Sequence, residues 1–140
     1  QDRTKLLPYV IGRVLRGESP DITSGRRLID WVYVDDVAYG LARMALAPDI
    51  AGRTVDLGSG VLISTAELVE KVCELIGGGV RPRFGAIPDR PMEPTRIART
   101  DETFRLLGWS PQTRLVEGLG RTIQWYREEA ALPVAGPATH

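Results

Sequence analysis

The sequence predicts an α/β fold in which helices predominate over short strands, and three observations point to it. Stretches whose apolar residues recur every three to four positions alternate with short runs rich in β-branched and aromatic residues. Clusters such as "GESP" and "IGGG" punctuate them. A length of 140 residues, 43% hydrophobic and 26% charged, supports one globular core rather than two.

The elements follow in order. In "TKLLPYVIGRVLRGE", Leu7, Val10, Ile11, Val14 and Leu15 share one helix face, which predicts a helix from about Lys5 to about Arg16 with Pro8 tolerated in its first turn. Two extended runs are expected next, Asp21–Thr23 and Leu28–Val34. A helix over Asp36–Leu46 then places Val37, Leu41, Met44 and Ala45 on one face. "GRTVDLGSG" reads as a strand, Thr54–Leu57, ending in glycines. "STAELVEKVCELIGGG" reads as a helix with a Ser64-x-x-Glu67 capping box and a glycine stop. "RPRFGAI" is a strand bounded by prolines. "TDETFRLLGWSP" predicts a short helix capped at Thr100 or Asp101 and closed by Gly108, and Thr113 is expected to cap a last helix running to about Glu129. The final stretch "ALPVAGPATH" lacks periodicity and is expected to be disordered.

Composition narrows the function. Positive and negative residues balance at 18 each, and all the basic ones but Lys5 and Lys71 are arginine. Arginine suits bidentate phosphate binding. Zero net charge, with acids spread along most of the chain, argues against nucleic acid as a partner. No membrane-length apolar run or signal peptide is visible, and the lone Cys73 allows no internal disulfide, so a cytoplasmic setting is expected. A start at Gln1 rather than Met suggests that something upstream has been removed.

Several chemistries find no residues here. His140 is the only histidine, so a Ser/His/Asp or Cys/His nucleophile arrangement is not available, and no metal-ligand spacing occurs. Cys73 lies within an amphipathic helix, where an inert, half-buried thiol is the plain reading. Gly58-x-Gly60 links a strand to a helix, but Ile63 stands where the dinucleotide fingerprint needs its third glycine, so a tight turn is favoured over cofactor binding. Asp35 and Asp36 sit where a helix begins and are read as helix-starting residues rather than a catalytic pair, since adjacent side chains diverge.

Four ordered segments carry a resemblance: "KLLPYVIGRVLRGESP", "TSGRRLIDWVYVDDVAYGLA", "GRTVDLGSGVLISTAELVEKV" and "DRPMEPTRIARTDETFRLLGWSPQTRLVEGLGRTIQWYRE". Together, over residues 1 to 129, they resemble the C-terminal part of the NAD-dependent nucleotide-sugar epimerases and dehydratases, the extended short-chain dehydrogenase/reductase family. The resemblance implies the substrate-binding portion of that fold over residues 1 to 130, with the Rossmann half absent and a tail from 131 to 140. It also implies that the helix after Asp35 and the strand Thr54–Leu57 would return to the missing cofactor sheet. The family's catalytic Tyr-x-x-x-Lys finds no match, because Tyr9 and Tyr39 are followed four residues later by Arg13 and Arg43. No catalytic or cofactor-binding residue is therefore expected, and whether the chain alone is an enzyme stays open.

The resemblance further implies that this part binds the nucleoside diphosphate of a nucleotide sugar. It assigns Lys5 and Leu6 to the segment touching the nucleotide, Phe84 to the strand lining the base pocket, Arg90 to the diphosphate and Glu93 to the nucleotide's sugar. Two positions depart from the family pattern. Ile29 stands where many members carry arginine before the Asp-aromatic pair, and Arg27, on the same strand face, is the replacement expected. Met92 replaces a common glycine and implies a looser loop after Arg90. NAD or NADP would serve the full-length enzyme and neither would bind this chain alone. Expected partners are a nucleoside diphosphate sugar and an upstream Rossmann half, with a homodimer also allowed, and no nucleic acid or membrane. The alternative reading is a non-catalytic nucleotide-binding or assembly module.

Overall fold

The computed structural model describes residues 5–48, 50–89, 91 and 94–131. The α/β class is as expected, rich in helix with four short strands among the described residues. Helix α1, Leu6–Leu15, carries Pro8 in its first turn, where the missing N–H removes no helical bond. It stops at Gly17, whose φ of 74° suits a residue without Cβ. Strand β1, Asp21–Ile22, begins where the amide of Asp21 donates to the Tyr9 hydroxyl (3.1 Å). Strand β2, Leu28–Asp30, ends before the Tyr33 cap of helix α2, Val34–Leu46.

Strand β3, Leu62–Ser64, runs directly into helix α3, Thr65–Ile76, whose Ser64/Glu67 capping box forms as expected. Strand β4, Arg83–Phe84, and helix α4, Thr100–Leu107, follow, and Gly108 closes α4 in the left-handed conformation. Arg99, not Thr100 or Asp101, occupies the cap position of α4. Helix α5, Leu115–Ala131, is the last. The carbonyl of Arg114 accepts its first helical bond from Gly118, so Arg114 rather than Thr113 is the flanking residue.

The strands form two pairs. Strand β1 lies parallel to β4, with Asp21 opposite Arg83 and an ion pair of 2.6 Å across them. Strand β2 lies antiparallel to β3, with Ile29 opposite Ile63. The expected strand Thr54–Leu57 joins neither ladder. Its pattern is strand-like, but a strand exists only by pairing, and no described segment pairs with it.

The main core lies among α1, α3 and α5. Val10, Ile11 and Val14 meet Leu68, Val69 and Val72, and Leu119, Ile123 and Ile22 close the cluster. Trp109 is fully buried near α2, where a Cβ on Gly40 would lie 3.2 Å from its ring. The α2 face expected to be apolar keeps Leu41 and Ala45 exposed, so that helix is covered along a narrow stripe at Asp36 and Gly40. The stretch 132–140, expected to be disordered, lies outside the described residues.

Candidate functional site

Strand β2 ends in Asp30, whose carboxylate faces back across the molecule rather than outward. Its Oδ1 accepts the amide (2.7 Å) and hydroxyl (2.6 Å) of Ser59. Its Oδ2 accepts the amides of Gly60 and Ala98, both at 3.0 Å. Partial burial pushes this carboxyl upward, but the Ser59 hydroxyl and the three amides outweigh it and hold the group below the ordinary carboxylate range. Asp30 therefore stays ionised and fully engaged.

Beside this knot lies an open cleft of about 650 Å³, walled by Arg27 to Asp30, by Val55 to Gly58, and by Pro94 with Arg96 to Ala98. Asp56, the other carboxylate on its wall, accepts the Arg99 side chain at 3.3 Å. Arg96 has no hydrogen bond or ion pair among the described residues. With its described acids, Asp30 and Asp56, engaged and two arginines on its walls, the cleft is suited to an anion.

The expected site residues fall in different places. Arg27 and Ile29 share the cleft, and the Arg27 carbonyl accepts the Thr65 amide at 2.8 Å. Phe84 instead lines a second opening of about 580 Å³, together with Glu70, Cys73, Glu74 and Arg81. Lys5 occupies the cap position of α1 without a side-chain cap bond, and Leu6 opens that helix half-buried against the core. Arg90, Met92 and Glu93 lie outside the described residues. Asp89, next to Arg90 in sequence, accepts the amide of Ser24 at 2.9 Å, just beyond β1.

Other expectations resolve physically. Asp36 is buried, its Oδ2 accepts the Thr113 amide (2.9 Å), and its carbonyl accepts the Trp109 indole N–H (3.0 Å). It ties α2 to the start of α5 instead of capping α2, whose cap position is Tyr33. Asp35 is exposed and, among the described residues, reaches only Arg121, at 3.9 Å. The Cys73 thiol is buried and pushed up by desolvation and then by Glu70, as an inert thiol should be. Arg13 pairs with Glu18 and lies over the Tyr9 ring, 6.0 Å from its centre, and Arg43 Nε donates to the Leu107 carbonyl (3.0 Å).

Sequence reasoning missed Asp30 and Arg96. The residues that engage Asp30 lie 29 to 68 positions away, so no local pattern announces them. Its place in an apolar strand, where an unpaired charge would be costly, was the available signal.

The Gly58-x-Gly60 turn does not fit a dinucleotide. The amides of Ser59 and Gly60, which would have to cradle a pyrophosphate, are taken by Asp30. A Cβ on Gly58 would stand 2.6 Å from the Cβ of Ala98, so its glycine serves close packing. Among the described residues no group of three or more His, Cys, Asp or Glu side chains could hold a metal.

Comparison with known proteins meets this geometry. The model of the NAD dependent epimerase/dehydratase family matches residues 1–58. A low-salt glycan biosynthesis protein of Haloferax volcanii is 32% identical over 90% of this chain and 40% of its own length. A dTDP-glucose 4,6-dehydratase of Escherichia coli is 32% identical over 87% of this chain and 36% of its own. The structure of UDP-glucose 4-epimerase from Thermotoga maritima with UDP-glucose superposes with a TM-score of 0.81 at 26% identity, over 90% of this chain and 40% of that one. The chain thus spans well under half the length of these relatives. Residues 1–58 match the NAD-dependent epimerase/dehydratase family, and the chain as a whole is similar to the C-terminal part of its nucleotide-sugar relatives, with the fold of the extended short-chain dehydrogenase/reductases.

Proposed function

We propose that this chain is the substrate-binding half of an NAD-dependent nucleotide-sugar epimerase or dehydratase, and that it holds the nucleoside diphosphate of the substrate. One observation carries the reading: Arg27 and Arg96 line a single cleft whose described acids, Asp30 and Asp56, are already engaged by donors of their own. A guanidinium fork matches the oxygens of a diphosphate, and both an ammonium and a neutral donor would match them less well. The relatives support it, since UDP-glucose and dTDP-glucose are both sugars on a nucleoside diphosphate.

In this reading Arg90 completes the diphosphate contacts and Glu93 meets the nucleotide's sugar. Lys5 and Leu6 touch the nucleotide, and Phe84 lines the base pocket. NAD or NADP belongs to a cofactor half outside these residues, so hydride transfer is expected only when that half is supplied. A cytoplasmic setting accords with the free, buried Cys73.

Calorimetric titration with a nucleoside and its diphosphate tests the site. Arg90→Ala should weaken the diphosphate roughly ten- to hundredfold, as expected for losing a charge-assisted hydrogen bond of about 1.5–3 kcal/mol, and should leave the nucleoside nearly unchanged. Arg27→Ala should show a smaller loss with the same selectivity. Equal losses for both ligands would mean that the arginines support the fold, and the reading would fall.

A further inference from the structure

Three segments remote in sequence meet at one carboxylate. Asp30 joins β2 to the turn at Ser59 and Gly60 through 2.7, 2.6 and 3.0 Å bonds, and to the 96–98 stretch through the Ala98 amide at 3.0 Å. A carboxylate offers about four lone-pair sites, so these bonds occupy it and leave none for a ligand. The packing around it is close: a Cβ on Gly58 would lie 2.8 Å from Asp30 Oδ2. The joined segments are also the walls of the cleft that holds Arg27 and Arg96. Arg96 is two residues from Ala98 and has no side-chain partner among the described residues, so the backbone sets where its guanidinium can reach.

Resting on the reading of this cleft as a diphosphate site, we propose that Asp30 is its positioning residue. By fastening Ala98 to β2, it holds the 96–98 wall against the strand that follows Arg27, so that both arginines of the cleft can meet one diphosphate. Charge and geometry make opposite demands here. A carboxylate beside an anion site repels phosphate, so removing its charge should by itself tighten binding. If the carboxylate works through geometry, the neutral isostere should weaken binding instead. An amide at position 30 would also turn an NH₂ donor toward an N–H donor and break the knot on one side.

The test titrates the full chain with inorganic pyrophosphate, which needs no knowledge of the base, and measures backbone amide exchange. Asp30→Asn should bind pyrophosphate roughly tenfold more weakly, the loss expected for one misplaced charge-assisted contact. Its Gly60 and Ala98 amides should lose protection, while those of Val10 and Val69 in the core keep theirs. Ser59→Ala removes one donor to Oδ1 but leaves both Oδ2 bonds, and should keep most of the affinity.

Pyrophosphate binding that is equal or tighter in Asp30→Asn would overturn this proposal and leave the cleft assignment standing. So would a loss in Ser59→Ala as large as that in Asp30→Asn. Freely exchanging Gly60 and Ala98 amides in the unaltered chain would overturn it without any variant having to fold. A failure of the unaltered chain to bind pyrophosphate would overturn both the assignment and the proposal.

Discussion

Asp35 and Asp36 are neighbours in the first turn of α2, yet their environments differ in every respect that sets a side chain's worth. Asp36 is 7% exposed, and its Oδ2 satisfies an amide at the start of the last helical segment. Asp35 points to solvent, and its closest cation among the described residues is 3.9 Å away. Removing the Asp36 carboxylate leaves the Thr113 N–H without its partner, which costs about 1–3 kcal/mol. Losing Asp35 forfeits only a screened ion pair and a favourable place near the helix's positive end, within about 0.5 kcal/mol. Asp36→Ala should therefore lower the thermal midpoint clearly, and Asp35→Ala should barely move it. Equal shifts would show that the dipole of α2, and not the tie to Thr113, governs this turn.

At the scale of the element, α3 illustrates how a helix start is completed from outside. Four amides at any helix N-terminus lack helical partners. Here Thr65 donates to the Arg27 carbonyl (2.8 Å), Ala66 to the Gly25 carbonyl (2.9 Å), and Glu67 to the Ser64 hydroxyl (3.1 Å). The approach to β2 is close enough that a Cβ on Gly25 would lie 2.8 Å from that of Ala66, and Gly25 sits at a φ of 75°. Gly25→Ala is expected to cost about 2 kcal/mol through left-handed strain alone, and more through the collision. Ser64→Ala removes the side-chain cap bond from the Glu67 amide, worth about 1 kcal/mol, and introduces no backbone strain or collision. Chemical denaturation should rank Gly25→Ala as the more damaging. The reverse order would mean that α3 is anchored by its capping box rather than by the chain preceding β2.

For the whole molecule, the distribution of exposed apolar surface is the governing feature. Val34 is 66% exposed, Leu41 56% and Leu46 84%, all on α2. Their spacing leaves two sides of one helix in water, and a surface of this kind normally meets another protein surface. Relatives more than twice as long share this fold, so the proposed cover is the cofactor half of a longer protein. The chain by itself is expected to self-associate or to be marginally stable. Sedimentation should reveal association that Leu41→Arg with Leu46→Arg reduces, and the thermal midpoint should hold, because neither side chain is packed. A monodisperse and highly stable monomer would count against the proposal.

What the sequence determined by itself is local. The 3.6-residue apolar period placed α1, α3 and α5 within a few residues, and the Ser64/Glu67 pair announced its own capping box, because each interaction lies within one turn. The resemblance pointed to the family whose model matches residues 1–58, and to Arg27, which the fold sets in a cleft. The tertiary structure decided whatever needs a distant partner. Residues 54–57 have a strand's composition but no strand partner among the described residues, while 62–64 form a ladder because β2 lies beside them. Asp30 and Asp36 read alike as acids beside apolar runs, and only the return of Ala98 and Thr113 separates a clamp on the cleft from a tie between helices. A hydrogen-bond acceptor acquires its role from the donor that reaches it, and across 68 or 77 residues that donor is chosen by packing rather than by local pattern.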